Sequence, residues 1–200
     1  MSKSIITLGG GMVGSAIARD LKESNYNITV ADWNEGVQSY LAPFDINYIK
    51  LDFFNNDTLK KAIENFDLVI GAVPGFMGYE ILKTVIDAGK NILVEKPLAM
   101  DYLEAKMVVQ HAHRAGIKLA VCHQYRWMPV FRVIKNLIDQ GYLGELFLLS
   151  MDERRSYDYP EKYYNNQPRW LLFMDAIHFV DQFRWWTCQE PSRVFSGLLQ

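Results

Sequence analysis

Cysteine, net charge and long apolar runs are all scarce in this 200-residue sequence. Its two cysteines, Cys122 and Cys188, form no CxxC pair, which argues against a disulfide framework or a cysteine-rich metal site. A formal net charge of −2 gives no electrostatic basis for binding nucleic acid or an anionic membrane. Apolar runs such as residues 68–73 are far shorter than the roughly 20 residues of a membrane span, and no signal peptide is recognised. We therefore expect a cytoplasmic protein.

Short apolar runs alternate with helical patterns as far as about residue 122. Strands are predicted at residues 4–8, 27–32, 46–51, 68–73, 91–95 and 118–123. Helices are predicted at residues 13–24, 58–65, 78–88 and 101–115. Strands that alternate with helices imply right-handed crossovers and a doubly wound parallel sheet. The sequence therefore predicts an α/β Rossmann domain over residues 1–122.

A different pattern follows residue 122. Helices are predicted at residues 129–140 and 175–187, strands at residues 146–152 and 193–196, and a long polar loop at residues 154–169. Two predicted strands are too few for a complete sheet. We therefore interpret residues 123–200 as an incomplete α+β domain for substrate binding and oligomerisation.

A glycine-rich turn, GGGMVG, follows the first predicted strand and opens the first helix. In this pattern Gly9 permits a tight turn, Gly11 lets the backbone approach a pyrophosphate, and Gly14 lets the helix pack closely on the sheet. The helix then begins at Met12 and Val13, where free backbone amides attract phosphate. The turn predicts a dinucleotide-binding site.

Asp32 ends the second predicted strand, 18 residues after Gly14. A carboxylate there accepts hydrogen bonds from the hydroxyl groups of the adenosine ribose. It also repels a 2′-phosphate, and the next residues, Trp33, Asn34 and Glu35, include no arginine to attract one. NAD is therefore favoured over NADP as the cofactor.

Two more segments follow predicted strands at the edge where open α/β sheets bind ligands. Asp52 follows the third strand and is interpreted either as an adenine contact or as a surface residue. Val73 and Pro74 close the fourth strand, either as part of a loop that covers the cofactor or as a plain turn. Both alternatives stay open for each segment.

From residue 88 onward, five motifs occur in an order typical of one enzyme family. They are AGKNILVEKP at residues 88–97, HQYRWMP at 123–129, GYLGE at 141–145, IHFVD at 177–181 and EPSRV at 190–194. Together they resemble the glucose-fructose oxidoreductase, inositol dehydrogenase and MocA family. The first half, with VAD at residues 30–32 and FDLVIGAVPGF at 66–76, instead resembles saccharopine and lysine dehydrogenases.

The resemblance implies a catalytic pair, Lys96 of the Glu-Lys-Pro motif and His178 of the last helix. In the family these two residues flank the nicotinamide and the reacting carbon, and Glu95 and Lys96 border the cofactor. Histidine is suited to take the hydroxyl proton as hydride leaves, and lysine stabilises negative charge on the oxygen.

The resemblance also implies the lining of a substrate pocket. Tyr125 and Arg126 are assigned to it, although Arg126 is alternatively structural. Asp181 lies one helical turn after His178 and is assigned to orient the imidazole or to bind a substrate hydroxyl. The family often places an acid four residues before this histidine, whereas here Asp175 lies three residues before it. Asp175 is therefore a displaced candidate for that role.

The functional hypothesis is an NAD-dependent oxidoreductase acting on a CH–OH group of a sugar, inositol or related polyol. The alternatives are an amino-acid oxidoreductase like saccharopine or lysine dehydrogenase, and a truncated NAD-binding protein without catalysis. Family members continue well beyond residue 200, so the apolar residues at 146–149 and 195–199 lack the strands that would cover them. We expect a homo-oligomer formed through the C-terminal sheet, unless the chain is a fragment.

Overall fold

The structure is a computed structural model that describes residues 3–75, 78–152 and 172–195. The chain divides into two compact units, Met1–Cys122 and His123–Gln200. Each unit has its own elements and is described by itself.

The first unit is built on a six-stranded sheet in which every pair of neighbours is parallel. Its strands are β1 (Ser4–Leu8), β2 (Asn27–Asp32), β3 (Asn47–Lys50), β4 (Leu68–Gly71), β5 (Asn91–Val94) and β6 (Leu119–Val121). Their order across the sheet is β3-β2-β1-β4-β5-β6. This order confirms the predicted Rossmann fold, in which the strand order reverses beside β1 and creates a ligand-binding crevice.

Five described helices connect these strands: α1 (Met12–Glu23), α2 (Gly36–Leu41), α3 (Asn56–Ile63), α4 (Gly78–Asp87) and α5 (Tyr102–Ala115). Each long crossover passes over one face of the sheet, as parallel pairing requires. No helix in the described part of the chain is both long and apolar enough to cross a membrane.

The central strands are apolar on both faces because helices cover both sides of the sheet. Alternate residues of a strand point to opposite faces. Accordingly, Ile6 and Val69 belong to one buried cluster, and Ile5 and Ile70 belong to the other. Burying an isoleucine or valine side chain contributes roughly 1.5–3 kcal/mol, so these two clusters supply the main stabilisation of the sheet.

Side-chain caps fix the ends of several helices. Asn55 accepts a hydrogen bond from the amide of Thr58 at the start of α3, at 3.1 Å. Asp101 accepts one from the amide of Glu104 at the start of α5, at 2.9 Å. Gly116 ends α5 with φ +70°, a left-handed conformation that glycine adopts readily. These caps satisfy backbone groups that the helices leave unpaired.

The described part of the second unit is helical. A 3₁₀ turn at Gln124–Trp127 precedes α6 (Pro129–Asp139), and a π turn at Leu172–Ala176 precedes α7 (Ile177–Thr187). The proline occupies the first position of α6, where its missing N–H costs nothing. The indole of Trp186 on α7 donates to the carbonyl of Phe131 on α6 at 3.4 Å, which ties the two helices together.

The two strands predicted in the second unit are not formed in its described part. Residues 146–152 and 193–195 have no regular structure, and the predicted loop at 154–169 and Ser196 lie outside the described residues. A strand is stable only beside a neighbour that accepts its hydrogen bonds, and neither segment has such a neighbour within the described ranges. Phe147 and Phe195 are instead 96% and 90% exposed. Among the described residues after 122, only helices and turns are formed, and the predicted strands at 146–152 and 193–195 are absent.

Candidate functional site

At two positions of the turn between β1 and α1, a side chain would clash with backbone atoms. Gly9 has φ +98°, and a Cβ there would lie 2.5 Å from the carbonyl oxygen of Ala72. A Cβ at Gly14 would lie 1.9 Å from the carbonyl oxygen of Gly9. Real Cβ atoms do not approach backbone oxygen so closely, so a side chain at either position displaces backbone. These two glycines therefore permit the close approach of strand and helix.

Gly11 is glycine for a different reason. A Cβ there would meet no atom within 4 Å, and φ is −65°, which any residue adopts. Gly11 lies at the N-cap of α1, and no side chain of the described residues caps this helix. The exposed Met12 and Val13 form its first turn. Unpaired amides beside open space match the requirements of a bound pyrophosphate, so the residues present fit the predicted dinucleotide.

Asp32 joins the end of β2 to the glycine turn. Its carboxylate accepts a hydrogen bond from the amide of Gly10 at 2.6 Å and another from the amide of Asn34 at 2.8 Å. The residue is 6% exposed. A carboxylate accepts about four hydrogen bonds, so acceptor capacity is left for ribose hydroxyls. The buried negative charge is therefore held in place by backbone amides before any ligand arrives.

Gly10 contributes to this arrangement, although the GxGxxG pattern does not predict it. Besides the bond to Asp32, its carbonyl accepts a hydrogen bond from the hydroxyl of Ser15 at 2.6 Å. A Cβ at Gly10 would lie 2.4 Å from Cγ1 of Val37. The signal in the sequence is the middle one of the three consecutive glycines, at a position that the motif treats as variable.

The ends of β3 and β4 differ in their relation to the glycine turn. Val73 lies beside this turn, because a Cβ atom at Gly9 would be 3.4 Å from Cγ1 of Val73. Pro74, the next residue, is exposed. The carboxylate of Asp52 accepts a hydrogen bond from the amide of Phe54 at 3.0 Å and closes a turn of its own. The structure therefore brings Val73 to the predicted site and shows Asp52 in a local turn.

Glu95, Lys96 and Cys122 follow the neighbouring strands β5 and β6. The Lys96–Pro97 peptide bond is cis, and a Cβ at Gly75 would lie 2.9 Å from Cγ of Pro97. The loops after β4 and β5 are thus in contact. Burial, together with the charge and hydrogen bond of Glu95, raises the pKa of Cys122 to about 12. The sequence did not predict that Cys122 neighbours Glu95, because only the pairing of β5 with β6 brings the two residues together.

The thiol of Cys122 is expected to resist alkylation in the folded protein. With a pKa of about 12, its thiolate fraction at pH 8 is lower than that of an ordinary cysteine by a factor of about 1,000. A Cys188→Ser variant retains Cys122 as its single thiol. Its reaction with a thiol reagent should be at least about 100-fold slower when folded than in denaturant. Equal rates would show that Cys122 is neither buried nor beside Glu95.

In the second unit, Arg126 and Asp181 form a bidentate ion pair. The guanidinium Nε and Nη2 atoms donate to the two carboxylate oxygens at 2.7 and 2.6 Å. The hydrogen bond to Asp181 raises the pKa of Arg126. The Asp181 carboxylate is buried and also lies 3.8 Å from Nδ1 of His123. Arg126 and Asp181 are therefore brought together, and His123 joins a cluster for which it was not predicted.

His178 is held by residues of the HQYRWMP motif. The ring is 3% exposed and stacks on Tyr125, with 4.4 Å between ring centroids and an angle of 11° between the planes. The side-chain amide of Gln124 lies 3.4 Å from Nε2 of His178. This contact influences which ring nitrogen carries the proton. Tyr125 and His178 are brought together as predicted neighbours, whereas Gln124 was missed within the same motif.

The remaining catalytic candidates are in different elements. Asp175 lies in the π turn that precedes α7, and His178 lies in α7 itself. Lys96 belongs to the first unit and His178 to the second. Within the described residues, no group of three histidine, cysteine or acidic side chains is arranged to hold a metal ion.

Replacing Asp181 with asparagine is expected to destabilise the fold, because it leaves the guanidinium of Arg126 without a charged partner. Loss of a mostly buried, charge-assisted pair costs about 1–2 kcal/mol in the free energy of unfolding. The control is Glu190→Gln, which breaks the similar but exposed pair between Arg184 and Glu190. Exposed pairs contribute little, so this variant should unfold like the wild type. The measurement is the midpoint of thermal unfolding of each variant. Equal midpoints for the two variants would contradict the expected contribution of the pair between Arg126 and Asp181.

Comparison with known proteins places the chain among nicotinamide-dependent enzymes. The profile described as "Oxidoreductase family, NAD-binding Rossmann fold" (GFO_IDH_MocA) matches residues 4–123. The scyllo-inositol 2-dehydrogenase (NADP(+)) IolW of Bacillus subtilis is 35% identical over 80 residues, which are 40% of this chain and 22% of that protein. An uncharacterised oxidoreductase of the same organism, YrbE, is 24% identical over 98% of this chain and 58% of its own length.

Solved structures show the same fold. The scyllo-inositol dehydrogenase from Lactobacillus casei, solved with bound NAD(H) and scyllo-inositol, superposes with a TM-score of 0.75 at 19% identity. The match covers 93% of this chain and 56% of that one. The chain thus spans little more than half of YrbE and of this solved structure, and less of IolW.

The profile match begins at residue 4 and includes both the glycine turn and the Glu-Lys-Pro motif. It assigns the first half and the motif at residues 88–97 to one family. The likeness of the first half to saccharopine and lysine dehydrogenases is therefore a likeness between Rossmann motifs. The match covers more than half of the chain. The chain therefore belongs to the Gfo/Idh/MocA oxidoreductase family with an NAD-binding Rossmann fold.

Proposed function

We propose that the chain supplies the cofactor site and part of the substrate site of an oxidoreductase that transfers hydride between NAD and a sugar, inositol or related polyol. The observation that carries the proposal is the open space at Gly11, next to the uncapped N-terminus of α1 and the amide-held carboxylate of Asp32. A pyrophosphate at the helix and a ribose at the carboxylate would occupy this crevice. The inositol dehydrogenases among the relatives support the substrate class.

NAD is proposed over NADP because Asp32 is charged and buried. A 2′-phosphate would face this carboxylate at close range, where the repulsion is poorly screened. Both cofactors occur among the relatives by name, since IolW is NADP-linked and the Lactobacillus casei enzyme was solved with NAD(H). The choice therefore depends on this chain's own residues.

The proposed chemistry divides the work between cofactor and protein. When bound, NAD supplies the carbon that accepts the hydride. His178 takes the hydroxyl proton, and stacking on Tyr125 orients its ring. Lys96 stabilises the negative charge that develops on the substrate oxygen.

The other candidate residues bind or position the substrate in this proposal. Arg126 and Asp181 present a rigid pair of opposite charges, which suits a ligand with several hydroxyl groups. Asp175 is a second acid near His178 along the chain. Glu95 borders the cofactor beside Lys96. A homo-oligomer is proposed from the exposed apolar side chains of Phe147, Leu148 and Phe195.

The proposal is tested by measuring NAD binding and NADH formation separately. Calorimetry reports binding of NAD and NADP to the purified chain, and absorbance at 340 nm reports turnover with inositols, sugars and lysine-type amino acids. We expect NAD binding, and turnover with a polyol. Turnover with lysine-type substrates alone would select the saccharopine-like alternative. Binding without turnover would identify a nucleotide-binding chain without catalysis, and no binding would refute the proposal.

Replacing Asp32 with asparagine is expected to shift the cofactor preference towards NADP. The amide keeps the shape of the side chain but removes the charge and one of the two oxygens that accept from Gly10 and Asn34. NAD therefore loses charge-assisted hydrogen bonds, and NADP loses a repulsive contact. NAD affinity should fall roughly tenfold or more, while the ratio of NADP to NAD affinity rises. Calorimetric titration with both cofactors measures the change. An unchanged ratio would show that Asp32 does not face the ribose.

A further inference from the structure

An exposed ion pair lies next to Asp32 at the end of β3. The amine of Lys50 is 2.6 Å from Oε1 of Glu35. Lys50 is the last residue of β3, and Glu35 lies in the turn that follows β2. The hydrogen bond and charge of each partner raise the pKa of Lys50 and lower the pKa of Glu35. Both side chains are mostly exposed, so the pair contributes little to stability.

The sheet register sets the position of this pair relative to the cofactor site. Lys50 is the register partner of Asp32 across the parallel β2–β3 pair. Neighbouring strands lie about 4.8 Å apart, and register partners in a parallel pair point to the same face. The amide of Leu51 and the hydroxyl of Tyr48 both donate to the carbonyl of Asp32, at 3.0 and 2.9 Å. The base of Lys50 is thus fixed one strand away from the carboxylate.

From this arrangement we infer that Glu35 determines cofactor specificity by forming an ion pair with Lys50. Without Glu35, the amine of Lys50 would bind the 2′-phosphate of NADP. This inference rests on the proposed function, in which the ribose lies against Asp32. Asp32 repels the phosphate directly. Glu35 removes the attraction that Lys50 would offer, because the positive charge of a lysine amine that is paired with a carboxylate is compensated.

The lysine side chain is long enough for the role. Its four-carbon stem spans the distance to a neighbouring strand and carries three rotatable donors. Lysine serves as a phosphate binder in proteins by acting as a point charge. NAD has no group that requires this cation, so the pair is neutral towards NAD. The pair therefore acts on the choice between the two cofactors and not on dinucleotide binding as such.

The test compares four chains by calorimetry: wild type, Glu35→Gln, Lys50→Met and the double variant. The probes are NAD, NADP, 5′-AMP and 2′,5′-ADP, so the readout does not depend on turnover. Asp45→Asn is the matched control, because it breaks another exposed ion pair of the first unit, with Lys22, and changes the net charge equally. Unfolding midpoints are recorded for every variant.

Glu35→Gln should strengthen the binding of NADP and 2′,5′-ADP about five- to tenfold, with NAD and 5′-AMP unchanged within about twofold. The double variant should lose the gain, and Lys50→Met alone and Asp45→Asn should show none. Unchanged NADP affinity in Glu35→Gln would overturn the inference. So would a gain that persists without Lys50, since it would reflect net charge alone. Absence of binding by either cofactor to the wild type would instead refute the proposed function itself, and this inference with it.

Discussion

Replacing Gly11 with alanine is expected to abolish measurable NAD binding without harming the fold. The added methyl group meets no protein atom within 4 Å, and φ of −65° is allowed for alanine. The methyl group therefore enters the space where the backbone would contact the pyrophosphate. Loss of two charge-assisted hydrogen bonds weakens binding roughly 100-fold or more. The free energy of unfolding should change by no more than about 1 kcal/mol, because alanine is a poorer N-cap residue than glycine but restricts the unfolded chain.

Two further alanine variants make this result specific. Gly14→Ala places a Cβ 1.9 Å from the carbonyl oxygen of Gly9, so it should lower the unfolding midpoint and binding together. In the Gly78→Ala variant, the added methyl group meets no atom within 4 Å among the described residues. Gly78 lies at the start of α4. It should leave both properties unchanged. Calorimetry and thermal unfolding of the three variants separate binding from folding. Full NAD affinity in Gly11→Ala would show that the phosphates do not lie at this turn.

Replacing Lys96 with methionine should reduce hydride transfer by a factor of about 1,000 or more while leaving NAD affinity within a few-fold. Methionine keeps the length of the side chain but cannot stabilise negative charge on the substrate oxygen. The glycine turn and Asp32, which would hold the pyrophosphate and ribose, are untouched. The measurements are the rate of NADH formation with the polyol that the wild type oxidises and the dissociation constant of NAD.

The control for this variant is Lys118→Met. Lys118 is exposed and directly precedes β6 at its N-terminal end, which is the sheet edge opposite to that of Lys96. The substitution makes the same chemical change away from the proposed chemistry, so turnover should persist. Turnover at the wild-type rate in Lys96→Met would remove Lys96 from the catalytic role. A parallel loss of NAD affinity would instead indicate a role in holding the cofactor.

Most of the first unit could be predicted because local signals and tertiary structure agree there. All six strands begin and end within two residues of their predicted positions, and α5 ends at residue 115 as expected. The second unit was predicted less well. Its helices agree with the apolar pattern, whereas residues 146–152 form no strand. A helix satisfies its own hydrogen bonds, but a strand depends on a neighbour that no local pattern supplies.

The sequence by itself determined the Rossmann architecture, the glycine turn, the acid after β2 and the family. These features follow from periodicity, from backbone conformations that only glycine permits, and from short motifs. Tertiary structure alone decided which side chains meet: the amide of Gly10 with Asp32, Glu35 with Lys50, Cys122 with Glu95, and Arg126 with Asp181. Each of these pairs is distant in sequence or depends on strand register and helix packing. Such contacts are set by three-dimensional geometry, and neither composition nor spacing encodes them locally.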